Sequence, residues 1–128
     1  MKNGKTECPF CNENRQLNII ASIDLAYAIY DNFPVSKGHT LVIPYRHCSN
    51  YFELTLEEQK ACWALVTEMQ KKLKEKLNPG GFNAGLNVGA DAGQTIEHAH
   101  IHLIPRYKGD MQDPRGGVRH CVTGKGYY

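Results

Sequence analysis

Apolar and polar residues alternate most regularly near the end of the chain, where Ala99, Ile101 and Leu103 stand between and beyond His98, His100 and His102. Successive side chains of an extended strand point to opposite faces. This period of two predicts a strand over residues 97–105, with three imidazoles on one face and apolar residues on the other. Neighbouring rings are then expected roughly 6–7 Å apart. Further strands are expected over residues 25–30 and 39–45, with Asp31-Asn32-Phe33-Pro34 and a turn at Val35-Ser36-Lys37-Gly38 between them. In the second of these, Leu41, Val42 and Ile43 run together, which signals burial on both faces. Another strand is expected over 82–88, and Gly89-Ala90-Asp91-Ala92-Gly93 reads as a flexible loop.

The period changes to that of a helix after Thr55-Leu56-Glu57-Glu58. This is a capping box: the Thr55 hydroxyl caps, and Glu58 reaches back to the cap residue's amide. Leu56, Cys62, Leu65, Val66, Met69, Leu73 and Leu77 then fall near one side. Lys71, Lys72, Lys74 and Lys76 crowd the last turns, where cations suit the helix dipole, and Asn78-Pro79-Gly80-Gly81 ends the helix. Strands without regular β-α alternation predict an α+β fold. We expect an antiparallel sheet of about five strands with one long helix and a shorter one.

A chain of 128 residues suffices for one core, so residues 1–128 read as a single domain in which 106–128 form a C-terminal extension. No apolar run approaches the ~20 residues of a membrane span. Met1 to Glu7 run straight into Cys8-Pro9-Phe10-Cys11 without room for a signal peptide, so a cytoplasmic location is expected. The net charge of +2 argues against bulk nucleic-acid binding. Arg106, Lys108, Arg115, Arg119 and Lys125 outnumber Asp110 and Asp113, a bias that suits either a small polyanion or a solvated tail.

Five cysteines in a reducing compartment do not suggest a disulfide framework. Cys8 and Cys11 read as half a zinc site or a redox pair. The redox reading lacks an obvious helix start, and Asn12-Glu13-Asn14 supplies no positive charge to lower a thiol pKa. Zinc needs further ligands. They must come from the histidines or Cys48, with His47 a natural third and His98 a natural fourth, giving a structural Zn2+ that ties distant segments together. The histidine row itself can hold a metal, move protons or attack an electrophile.

His98-Ala99-His100-Ile101-His102-Leu103-Ile104 fits every position of the motif of the histidine triad (HIT) family, and the chain resembles that family from Cys8 to about Tyr107. Gly38-His39-Thr40-Leu41-Val42-Ile43-Pro44 is similar to its second signature. Ala92-Gly93-Gln94-Thr95 resembles the phosphate-contacting segment of its dinucleoside polyphosphate hydrolases, while the paired cysteines resemble zinc-bearing bacterial members. The resemblance implies that His100 is the nucleophile, flanked by His39 and His102, and that Cys8, Cys11, His47 and His98 hold zinc. It implies that Asp31 binds the ribose and that Asn87, Gln94 and Thr95 contact phosphates. Gly93 lets the backbone approach phosphate closely. Phe10 and Ile29 would pack the base. A homodimer is implied, and Pro114-Arg115-Gly116-Gly117-Val118-Arg119 resembles an extension of some bacterial members.

The expected function is hydrolysis of dinucleoside polyphosphates or nucleoside phosphoramidates at the α-phosphorus, through a nucleotidyl-histidine intermediate. His102 and Gln94 would assist at the phosphate oxygens. The alternatives are a nucleotidyltransferase or phosphorylase of the same family, a metal-dependent hydrolase using the row as a three-histidine site, and a non-catalytic nucleotide-binding module.

Overall fold

A computed structural model describes residues 7–11 and 17–128. Asn12-Glu13-Asn14, weighed above against a redox role, and residues 1–6, where no signal peptide was expected, lie outside the described residues. Strands β1 (Ile19–Ser22), β2 (Ala26–Tyr30), β3 (Thr40–Pro44), β4 (Gly81–Gly85) and β5 (Ile101–Arg106) form one antiparallel sheet. Its order is β1-β2-β3-β5-β4. The helix α1 (Leu56–Leu77) joins β3 to β4. The expected shorter helix is represented only by short 3-10 turns among the described residues, such as Tyr51–Glu53. Of the strands, β1 is the one that the pattern did not reveal, because it is short and only half buried.

The two faces of the sheet bury different things. Ala26, Ala28, Val42, Ile101 and Leu103 pack with Cys62, Leu65, Val66, Met69 and Leu73 of α1. Tyr27, Ile29, Leu41 and Ile43, the intervening residues, pack instead with Cys8, Phe10 and Cys11. The run Leu41-Val42-Ile43 is therefore buried on both faces, as its composition predicts. The Tyr27 hydroxyl donates to the Phe10 carbonyl and fastens the N-terminal turn to the sheet.

The helix begins as its capping box requires: Glu58 N donates to Thr55 Oγ1 at 3.0 Å and Thr55 N to Glu58 Oε1 at 2.8 Å. It ends at Asn78, whose left-handed backbone (φ 48°) closes the last turn. Leu56 is not part of the buried stripe; it is 71% exposed. At 100° per residue it lies about 120° round the helix from Cys62, whereas Glu58 lies only about 40° away and is buried.

The histidine strand is shorter than expected and begins at Ile101. Pairing Leu41 with His102 and Val42 with Ile101 sets Pro44 opposite Ala99, and proline has no N–H to continue the ladder. Ala99 N bonds instead to the Cys48 carbonyl at 2.8 Å. The preceding strand is likewise limited to Gly81–Gly85, so Asn87 lies on a loop. Gly38 (φ 91°) permits the turn into β3, and a Cβ there would stand 2.7 Å from Leu77 Cδ1.

Candidate functional site

On the side of the sheet away from α1 lies a cleft of about 460 Å3. It is assembled from Pro9 and Phe10, Leu17, the end of β2 with the turn after it, Leu41 of β3, residues between 87 and 96, and the histidine row. Phe10, Ile29, Asp31, Asn87, Gly93, Gln94, Thr95, His100 and His102, all singled out in the sequence, line it together. Pro9, Leu17, Asn32, Phe33, Leu41 and Ile96 also line it, and these were not foreseen. Phe33 reads in the sequence as a strand-ending residue, yet it stands 85% exposed at this cleft. Leu41 had a signal: it shares a strand face with Ile29 and Ile43.

His98, His100 and His102 turn to the same side as the Cys8–Cys11 turn, but they have different neighbours. The His100 and His102 rings are 5.2 Å apart, closer than the strand rise suggests. Phe10 stands edge-on to His100 at 5.1 Å and to His98 at 6.0 Å. His98 Nε2 donates to the Pro44 carbonyl at 2.8 Å, so the neutral ring keeps a lone pair on Nδ1. His100 Nδ1 donates to the His98 carbonyl at 2.8 Å, which leaves the lone pair on Nε2. Burial pushes the pKa of both rings down, His98 to about 4. His102 is also lowered to about 4, by burial first and then by His100 and His39. Neutral imidazole is the form that can act as a nucleophile or ligand near pH 7.

Asp31 sits just beyond β2. Its Oδ1 accepts from Phe33 N at 3.0 Å, which orients the carboxylate at the cleft. Asn87 and Thr95 line the cleft and make no side-chain hydrogen bond among the described residues. Gly93 has φ 92°, a backbone that side chains resist.

Gln94 departs from its expected role. Its Nε2 donates to the Ser49 and Ile96 carbonyls at 2.9 and 3.1 Å, and its Oε1 accepts from Gly89 N at 2.9 Å. With both amide protons engaged by backbone, its side chain braces the loop. His39 is 3% exposed and lies behind His102 without lining the cleft. Arg115 and Arg119 do not line the cleft either. They lie over the Tyr127 and Tyr128 rings of their own tail, and Arg119 Nε donates to the Gly126 carbonyl.

A second group of side chains forms beside the cleft. The Sγ atoms of Cys8 and Cys11 and one ring nitrogen each of His47 and His98 all lie within 4.8 Å of one another. Cys11 Sγ is 3.2 Å from His47 Nδ1, and His98 Nδ1 is 3.4 and 3.7 Å from the two sulfurs. A tetrahedral ion with ordinary zinc–sulfur and zinc–nitrogen bonds separates such atoms by about 3.5 Å. The Pro44 carbonyl fixes the His98 tautomer that leaves Nδ1 able to ligate, an outer-sphere arrangement typical of metal histidines. Arg46, one residue before His47, makes two hydrogen bonds to Glu58 at 2.8 and 2.9 Å and so ties this loop to the helix start. Among the described residues, no converging group of ligand atoms contains more than one histidine of the row. The three-histidine metal site therefore does not form.

The HIT domain family model matches residues 12–109. An AP-4-A phosphorylase of Mycobacterium tuberculosis is 37% identical over 106 residues, covering 82% of this chain and 54% of that protein. A bis(5'-adenosyl)-triphosphatase of Dictyostelium discoideum is 36% identical over 99 residues, covering 77% of this chain and 66% of that protein. The chain thus spans between about half and two thirds of the length of these relatives. Among solved structures, a Zn-bound histidine triad family protein from Mycobacterium smegmatis superposes with a TM-score of 0.78 at 30% identity, covering 86% of this chain and 82% of that one.

Proposed function

The chain belongs to the HIT domain family, and from that premise we propose that it cleaves dinucleoside polyphosphates or nucleoside phosphoramidates at the α-phosphorus through a nucleotidyl-His100 intermediate. The observation that carries this reading is the His100 tautomer. With Nδ1–H held by the His98 carbonyl, the Nε2 lone pair is free in a cleft that also presents Asp31. Relatives named for Ap4A phosphorolysis and bis(5'-adenosyl)-triphosphate hydrolysis support this substrate class.

In the first step His100 Nε2 attacks phosphorus as the bond to the departing nucleotide breaks. The bonding pair leaves on the departing oxygen, or on nitrogen in a phosphoramidate, where it takes up a proton. The imidazolium that forms keeps its Nδ1–H on the His98 carbonyl, which stabilises the new positive charge. In the second step water attacks phosphorus, loses a proton to solvent, and returns the P–N bonding pair to Nε2. Asp31 accepts from the ribose hydroxyls and holds phosphorus in line. Phe10 and Ile29 pack the base, and Asn87 and Thr95 donate to phosphate.

Cys8, Cys11, His47 and His98 would hold Zn2+, which supplies a cross-link and no chemistry to the reaction. The supports are the donor set and its spacing. We also read residues 1–128 as one domain with 106–128 as its extension. The protein would be a cytoplasmic homodimer.

The test is alkaline quench and mass spectrometry of a reaction with diadenosine tetraphosphate. A nucleotidyl adduct mapped to His100 is expected, and its absence would falsify the reading. Adding inorganic phosphate distinguishes the acceptors, since a phosphorylase returns a nucleoside diphosphate where a hydrolase returns a monophosphate.

A further inference from the structure

Asn32 is the polar side chain of the cleft that the proposed reaction leaves without a task. It stands exposed between Asp31 and Phe33, and its amide makes no hydrogen bond among the described residues. Its backbone, by contrast, is held. Asp31 N donates to the His39 carbonyl at 2.9 Å, and Phe33 N donates across Asn32 to Asp31 Oδ1 at 3.0 Å. Pro34 further restricts the residue before it. The amide is thus carried on a fixed turn, and little backbone freedom is left to lose on binding. The apolar part of the same cleft comes from Phe10, Leu17, Ile29, Phe33 and Leu41. These side chains can pack the faces of a base but cannot tell one base from another, since bases differ in the donors and acceptors on their edges.

We propose that Asn32 sets the base preference of the cleft, with its Oδ1 accepting from the 6-amino group of adenine and its Nδ2 donating to an adjacent ring nitrogen. The proposal rests on the reading of the cleft as a nucleotide site with the ribose on Asp31, and it adds the identity of the base. A carboxamide suits the task because adenine presents a donor and an acceptor side by side, and asparagine answers both at once. Chain order supplies the position. Ile29 packs the base and Asp31 takes the ribose, so Asn32 follows directly on the residue that fixes where the base is attached. Its amide is also unclaimed, in contrast to that of Gln94, which three backbone groups engage. Relatives named for Ap4A and for bis(5'-adenosyl)-triphosphate point to the same base.

The test is a cycle between one group on the ligand and one on the protein. Calorimetry compares AMP with purine riboside 5'-monophosphate, which lacks only the 6-amino group, on native protein and on Asn32→Leu. Leucine keeps the size of the side chain and removes both polar atoms. Because Asn32 is exposed and unpartnered, N32L should keep the native Tm. Native protein should bind AMP about fivefold more tightly than the analogue. In N32L the two ligands should bind within about twofold of each other, with the loss falling on AMP. A preference for AMP that survives in N32L would overturn the assignment, and so would equal binding of both ligands by native protein. Either result, with AMP still bound, leaves the nucleotide reading standing. Failure of native protein to bind AMP at all would defeat that reading and this proposal with it.

Discussion

Each histidine of the row has one nitrogen assigned by a neighbour. The Pro44 carbonyl takes the His98 proton, the His98 carbonyl takes that of His100, and His39 faces the buried nitrogen of His102. On the proposed function, two residues of one type would thereby serve as ligand and nucleophile, His98 and His100. The row was legible in the sequence because its period is local, and so was the choice of Cys8 and Cys11 as a pair. The direction of each hydrogen bond was not, since carbonyls and amides leave no trace in a residue pattern. Gln94 shows the same limit. Its amide looks available in the sequence, and three backbone groups engage it in the fold. Replacing His100 by alanine should abolish turnover while nucleotide affinity, measured by calorimetry, stays within a few-fold, because Asp31, Phe10 and Ile29 are untouched.

At the scale of the element, the helix was read almost completely. The capping box and the stripe from Cys62 to Leu77 follow from spacing alone. What spacing could not show was the role of Glu58, which faces inward one turn from the start and is clasped by Arg46 across the loop that carries His47. These bonds hold its carboxyl down to about 2 from an ordinary value of 4.5. The contribution is therefore fully present above pH 4.5 and is lost as pH falls from there towards 2. Glu58→Ala should lower stability at pH 7 by about 2 kcal/mol, read as a lower Tm. The difference between variant and native protein should shrink as denaturation is repeated at lower pH over that interval. Strand ends were over-read for a related reason. The apolar alternation runs on past the point where Pro44 stops the ladder, because burial of Ala99 continues after pairing has ended.

At the scale of the molecule, the sheet separates two tasks. One face packs α1 and holds most of the apolar core; the other carries the cleft and the sulfur–nitrogen cluster. The cluster gathers residues up to 90 positions apart, as Cys8 and His98 are, and the cleft joins Pro9 to His102. No periodicity connects such segments; the four zinc donors were grouped from sequence by ligand chemistry, and the cleft residues by the family motif. Cys8→Ser should reduce bound zinc, measured by atomic emission on purified protein, and lower Tm by several degrees, consistent with loss of a cross-link between the N-terminal turn and the loop after β3. Unchanged zinc stoichiometry would remove Cys8 from the ligand set.

His98 serves both the cluster and its neighbour in the row: its ring nitrogen faces the sulfurs, and its carbonyl holds the His100 ring. The two functions are joined through a handful of covalent bonds in a single amino acid. On the proposed function, a chelator would thus erode turnover on the slow clock of a loosening backbone, without the immediate arrest that follows when a reacting metal is withdrawn. Read only at its endpoint, such an assay would misfile the protein as a metalloenzyme; followed over time, its lag would tell scaffold from reagent.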